Sequence, residues 1–218
     1  MFNAFIDPAG TARAVRAPLV WLWPLIILSV TLVLFGMFTA PLRINIMRQN
    51  PPPNMSGEQL EKTIQMMESF SKIGTFIIPV VVVGFIALLA ALAMLTGSMM
   101  SLKVRFRDMF ALMSVCSLIN CVGILASYFV LRAKADELSS VQQLQPPFGL
   151  DIFFSDLKGP LFAILNYFSI FQVWYLVMLT LALAHMANSS KGKAFAAITP
   201  VWLIPLLFAI VGSLFQRG

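Results

Sequence analysis

Residues 75–95 read TFIIPVVVVGFIALLAALAML, and this stretch decides the fold. It lies inside a longer interval, between Lys72 and Lys103, that carries no Asp, Glu, Lys or Arg. A hydrocarbon core about 30 Å thick is crossed by roughly 20 helical residues rising about 1.5 Å each. A lone apolar segment in lipid must pair its own amides, and a helix does this without neighbouring strands. The stretch is therefore a transmembrane helix. Outward from it, four more intervals are free of charge: Arg16 to Arg43, Asp108 to Arg132, Lys158 to Lys191 and Lys193 to Arg217. Five crossings follow, at about 18–39, 75–95, 109–131, 167–187 and 195–215. The fold class is all-α, a polytopic integral membrane protein with five transmembrane helices in one bundle. Residues 1–17 form an N-terminal interfacial segment and residues 18–218 the membrane domain.

Composition agrees. Of 218 residues, 59% are hydrophobic and 11% charged, against about 45–50% and 25% in soluble domains. Two cysteines and one histidine exclude a disulfide framework and supply too few ligands for a zinc or haem site. Cys116 and Cys121 lie about 140° apart around a helix, so they form neither a redox nor a ligand pair. No glycine-rich phosphate loop precedes a strand and helix, and no catalytic serine motif has a partner. The chain is read as non-enzymatic, with no cofactor and no nucleic-acid partner.

The basic residues orient the bundle. Arg13, Arg16, Lys103, Arg105, Arg107, Lys191 and Lys193 crowd three short segments at span ends, opposed only by Asp7 and Asp108. The other side spreads its cations through long loops with many acids. Density of cations in short loops places the first side, and the N-terminus, in the cytoplasm, and the C-terminus outside. The same seven cations are candidate contacts for lipid phosphate. The first apolar run is about twice as long as a signal peptide's core and is read as retained.

Outside the spans, Asp7 followed by Pro8 reads as an N-cap and first helical residue. With Phe2, Phe5 and Ile6 on one side and Arg13 and Arg16 on the other, the segment is either a short helix along the headgroups or a lead-in turn. Pro51, Pro52 and Pro53 open the first outer loop. Ser56 and Gln59 then form a capping box, with Met55 and Leu60 spaced as a hydrophobic staple. Leu60, Ile64, Met67 and Phe70 recur at helical spacing, so the second span extends outward as an amphipathic stem. Glu58 and Glu61 are explained by the helix dipole rather than by acid–base chemistry. In the second long loop, Phe148 to Phe154 reads as an interfacial or re-entrant piece covering the outer ends of the bundle.

Within the spans, no acid or lysine stands at depth, and His185 lies near the cytoplasmic end of the fourth. Asn120, Asn166 and Gln172 are the candidate intramembrane polar contacts, read first as packing glue and second as the lining of a path. Ala87 with Ala91, and Ala93 with Gly97, allow close helix approach, within one chain or between copies. Pro200 and Pro205 fall inside the fifth span and predict a kink or break near Trp202 that a neighbouring helix or water must compensate.

These residues carry a resemblance. Phe5, Asp7 and Pro8 leading through basic residues to Pro18 and Pro24, then Asn166, Phe168, Phe171, Trp174 and Leu176, and finally Ser190, Lys191, Gly192, Lys193, Ala194 and Phe195, are similar to the Yip family. That family consists of five-span membrane proteins named for interaction with Rab-type GTPases in eukaryotes. The likeness spans the whole topology and is carried most by the C-terminal third. Eukaryotic members have a long cytoplasmic N-terminal region with an Asp-Leu-Tyr-Gly-Pro motif, whereas this chain meets the membrane almost at once. Asp156, Leu157, Lys158, Gly159 and Pro160 echo the motif in the wrong place and without tyrosine. The resemblance thus implies a bacterial-type branch in the inner membrane. There the expected role is a scaffold or accessory subunit of a membrane transport or trafficking complex. Its partners would be membrane lipids and other integral membrane proteins or a second copy. The alternative is a small transporter or channel with a path near the fifth span.

Overall fold

A computed structural model describes residues 3–51, 56–135, 138, 141–154 and 159–215. Among these residues the regular structure is helical throughout. Two short N-terminal helices, α1 (Asn3–Ile6) and α2 (Pro8–Ala14), precede α3 (Leu22–Gln49), α4 (Gly57–Met99), α5 (Phe106–Cys116) and α6 (Leu118–Ala133). Two short 3-10 turns lead to α7 (Gly159–Tyr167), α8 (Ile170–Met186) and α9 (Lys191–Phe215).

Four helical stretches are long and apolar enough to cross a membrane: Leu22–Gln49, Phe76–Met99, Phe106–Ala133 and Lys191–Leu214. A bent pair, α7 and α8, meeting at 52°, passes the same test only when taken together; counted as one span it is the fourth of five crossings in chain order. The chain is thus a polytopic helical membrane protein. The third crossing is its hub. There 67% of the apolar window is buried inside the protein, against 22–28% for the first, second and fifth. Leu112, Cys116 and Ile119 are fully enclosed, because this crossing packs against α3, α4 and α8. The outer faces of α3, α4 and α9 stay apolar and exposed, as a lipid-facing perimeter must.

Local chemistry explains the helix ends. The Ser56 Oγ accepts from the Gln59 amide at 3.3 Å and the Gln59 side chain accepts from the Ser56 amide at 3.0 Å, so the capping box forms. From it α4 runs unbroken for 43 residues, stem and span together. Ile64 is buried, and Met67 shares a groove with Met37 and Ile44 of α3. The stem's stripe therefore turns in part toward α3, while Phe70 stays exposed. At the other end of α4, Ser101 adopts a left-handed conformation and the Leu102 amide reaches back to the Gly97 carbonyl at 2.9 Å. Asn188 does the same after α8, with the Ser189 amide on the Ala184 carbonyl at 2.9 Å. Both are left-handed helix terminations that turn the chain sharply back. Ala93 and Gly97 face α9: a Cβ on Gly97 would lie 3.9 Å from that of Ala197, so this small-residue pair packs within the chain.

Three expectations meet a different outcome. The N-terminal segment is packed against the fourth crossing, with Gly10, Thr11 and Ala12 buried. Trp174 donates its indole N–H to the Phe5 carbonyl at 2.9 Å, and the two rings lie 5.9 Å apart. Trp174 sits about 18 Å along α8 from its Met186 end at the helical rise, so Phe5 reaches well into the bundle. Second, of the kink or break expected at the prolines of the fifth crossing, the break is absent: α9 continues from Lys191 to Phe215 through both. Third, the interrupted crossing is the fourth, where Ser169 caps α8 by accepting from the Gln172 amide at 3.2 Å. The staple expected at Met55, and the motif echo at Asp156, Leu157 and Lys158, lie outside the described residues, as do the loop acids Asp136 and Glu137.

Candidate functional site

Antiparallel connection brings the α2–α3 link, the α4–α5 turn and the α8–α9 turn to one end of the bundle. Arg13, Arg16, Lys103, Arg105, Arg107, Lys191 and Lys193 all lie at that end, and all are exposed. Arg107 donates to the Ala17 carbonyl at 3.5 Å, tying two of the segments together. Arg105 pairs with Asp108 at 2.9 Å. Asp108 is buried in the first turn of α5, where the helix dipole favours an acid. His185 is exposed at the same end. The result is a concentration of exposed basic side chains at one end of the bundle.

The interior polar chemistry gathers around the two prolines. A proline cannot donate to the carbonyl four residues back, and its ring opens the helix there. The carbonyl three residues before each proline receives a hydroxyl from a neighbouring helix. Tyr167, at the end of α7, donates to the Trp202 carbonyl ahead of Pro205 at 2.6 Å. Thr96 of α4 donates to the Ala197 carbonyl ahead of Pro200, also at 2.6 Å. Gln172 then donates its side-chain amide to the Tyr167 hydroxyl at 3.1 Å. The bend between α7 and α8 is what allows this: it swings Tyr167 across α9, where its ring lies 5.3 Å from that of Trp202. Neighbouring side chains thus hold the fifth crossing together as an unbroken helix.

Beside this cluster, among α3, α4, α6, α8 and α9, is a cavity of about 300 Å³. Leu32, Val82, Ile86, Ile124, Leu179 and Pro205 supply much of its apolar wall, and Asn120, Gln172, Tyr167, Tyr175 and Trp202 also line it. Asn120 and Pro205 each lie about 21 Å along their crossings from the Phe106 and Lys191 ends, so the cavity is at mid-depth. The Trp202 indole nitrogen is buried without a partner among the described residues, as is the Thr180 hydroxyl.

Two of the three amides expected at depth, Asn120 and Gln172, therefore share one cavity. The third does not. Asn166 donates to the Pro146 carbonyl at 3.1 Å and to Asp151 at 3.3 Å, fastening the loop over residues 146–151 to α7. Gly149 lies so close to the Asn166 backbone that a Cβ there would come within 2.6 Å of its carbonyl oxygen. Phe148 packs edge-on against Phe171, while Ile152, Phe153 and Phe154 are exposed. Tyr167, Tyr175, Trp202 and Thr96 were not foreseen as site residues. A search for hydroxyls and indoles at the depth of the two intramembrane prolines would have found them.

A model of the Yip1 domain matches residues 2–213 of the chain. No curated protein and no solved structure matches it.

Proposed function

The chain belongs to the Yip1 domain family, and from that premise we propose that it is a non-enzymatic scaffold or accessory subunit of a membrane transport or trafficking complex. One observation supports this most. Met66, Phe70, Ile73 and Ile77 lie on one face of α4 at helical spacing, and their exposures are 55, 68, 50 and 49%. The row starts in the stem and continues into the crossing. Exposed apolar surface outside the bilayer marks a contact site, and its continuity with the crossing calls for another integral membrane protein on that face. The seven cations at the opposite end hold the bundle against anionic lipid on the cytoplasmic side. The N-terminus lies in the cytoplasm and the C-terminus outside, in a bacterial inner membrane.

Affinity purification of the full chain in mild detergent, with mass spectrometry of the co-purifying proteins, tests the proposal. A stoichiometric membrane-protein partner is expected, and its loss from the Met66→Glu/Phe70→Glu variant. A bare monomer that moves solute across liposomes refutes the scaffold and supports the second reading, a small transporter or channel, which the mid-depth cavity beside the fifth crossing favours. Reporter fusions placing both tails in one compartment would overturn the orientation.

A further inference from the structure

We propose that the mid-depth cavity binds one neutral, lipid-soluble molecule carrying a hydroxyl or carbonyl oxygen. Its wall is mostly apolar, which suits a hydrocarbon body more than a hydrated ion. No charged side chain lines it, so a charged head would lose its hydration without compensation.

Three of the lining polar groups lack hydrogen-bond partners among the described residues, the buried Trp202 indole N–H being one. Gln172 and Tyr167 satisfy one another and the Trp202 carbonyl. The Asn120 amide and the Tyr175 hydroxyl also line the cavity, and neither makes a hydrogen bond to any other described residue. Polar groups left unpaired in an apolar setting are costly, and sites for small ligands characteristically pair an apolar wall with a few such groups. An oxygen on the ligand can accept from either group, and a hydroxyl can also donate to the Asn120 carbonyl oxygen.

Size limits the ligand further. At about 30 Å³ for a water-sized group, the cavity holds roughly ten such groups, the bulk of a medium-chain alkanol or the head and upper chain of a neutral glyceride. Phe85, which is 38% exposed, borders both the cavity and the lipid-facing surface, on the side where a molecule dissolved in the bilayer would approach.

The site is independent of partner capture. Met66→Glu/Phe70→Glu, which removes the apolar row on the stem, should leave it unchanged. The test uses the full chain in phosphatidylcholine nanodiscs, labelled with an octanol bearing a diazirine, with adducts mapped by mass spectrometry. Adducts are expected on cavity residues of α6, α8 and α9, and nonan-1-ol should compete them whereas nonanoate should not. Competition by dioleoylglycerol identifies the bilayer as the source; competition by nonan-1-ol alone identifies a free small amphiphile. Ile124→Trp narrows the cavity and should remove those adducts while labelling at lipid-facing Phe76 stays constant. Asn120→Leu keeps the volume but loses the hydrogen bond, and should weaken competition about fivefold. Labelling confined to the lipid-facing perimeter, or cavity labelling unaffected by both variants and by nonan-1-ol, overturns the proposal.

Discussion

Replacing Tyr167 by Phe removes one oxygen and keeps the ring that packs on Trp202 and Phe168. That oxygen makes two hydrogen bonds, donating to the Trp202 carbonyl at 2.6 Å and accepting from Gln172 at 3.1 Å. Hydrogen bonds between membrane helices average about 0.6 kcal/mol and reach about 1.7. A carbonyl left unpaired in a buried setting costs about 1–3 kcal/mol. The in-helix donor to the Trp202 carbonyl is the Leu206 amide, and the Pro205 ring opens the turn between them, so the short bond from Tyr167 belongs at the upper end. Tyr167→Phe should therefore cost about 1–2 kcal/mol in reversible unfolding of the full chain in mixed micelles. The proline is the cause, so its removal should remove the need. In a Pro205→Ala background the ring is gone, the turn tightens so that the Leu206 amide can close on the Trp202 carbonyl, and the cost of Tyr167→Phe should fall by about 1 kcal/mol. A double-mutant cycle measures that coupling directly. Equal costs in the two backgrounds, or no cost in the parent, would refute the idea that the tyrosine repairs the proline-opened helix.

Two further outcomes follow from close contacts. Gly149→Ala puts a Cβ about 2.5 Å from the Asn166 Cα, so the loop must lift; hydrogen exchange over residues 144–154 should rise, with about 1–3 kcal/mol lost locally. Trp174→Phe keeps an aromatic ring beside Phe5 but loses the bond to its carbonyl. It should cost about 1 kcal/mol and release α1 and α2, read as faster proteolysis near Asp7 with the five crossings intact.

Much of the architecture is legible in the sequence because lipid leaves a chain few choices. Charge-free runs longer than the hydrocarbon thickness must be helices that cross it; four of the five runs each hold one long apolar helix in the structure, and the remaining run holds the bent pair α7 and α8. The capping box at Ser56 and Gln59 is equally legible, since both partners lie within one turn. The prolines at 200 and 205 signalled that the fifth crossing needs outside help, and Asn120 and Gln172 were recognisable as polar groups at depth. Asn166 was misplaced for a definite reason. Whether an amide near a helix end turns inward or toward a loop depends on where that loop lands, and Pro146 and Asp151 lie far from it in sequence.

By itself, then, the sequence determined the positions of the apolar helical runs and the crowding of cations into short turns, because each depends on hydrophobic length and charge within a single segment. Tertiary structure alone decided that the fourth crossing bends and the fifth does not break. It also decided that the N-terminal helices enter the bundle, and that Asn120, Gln172, Tyr175 and Trp202 meet around one cavity. Those outcomes depend on which side chain of one helix faces which backbone of another. Every lipid-soluble helix is equally greasy, so apolar patterning does not specify that pairing; close packing and the few available hydrogen bonds do.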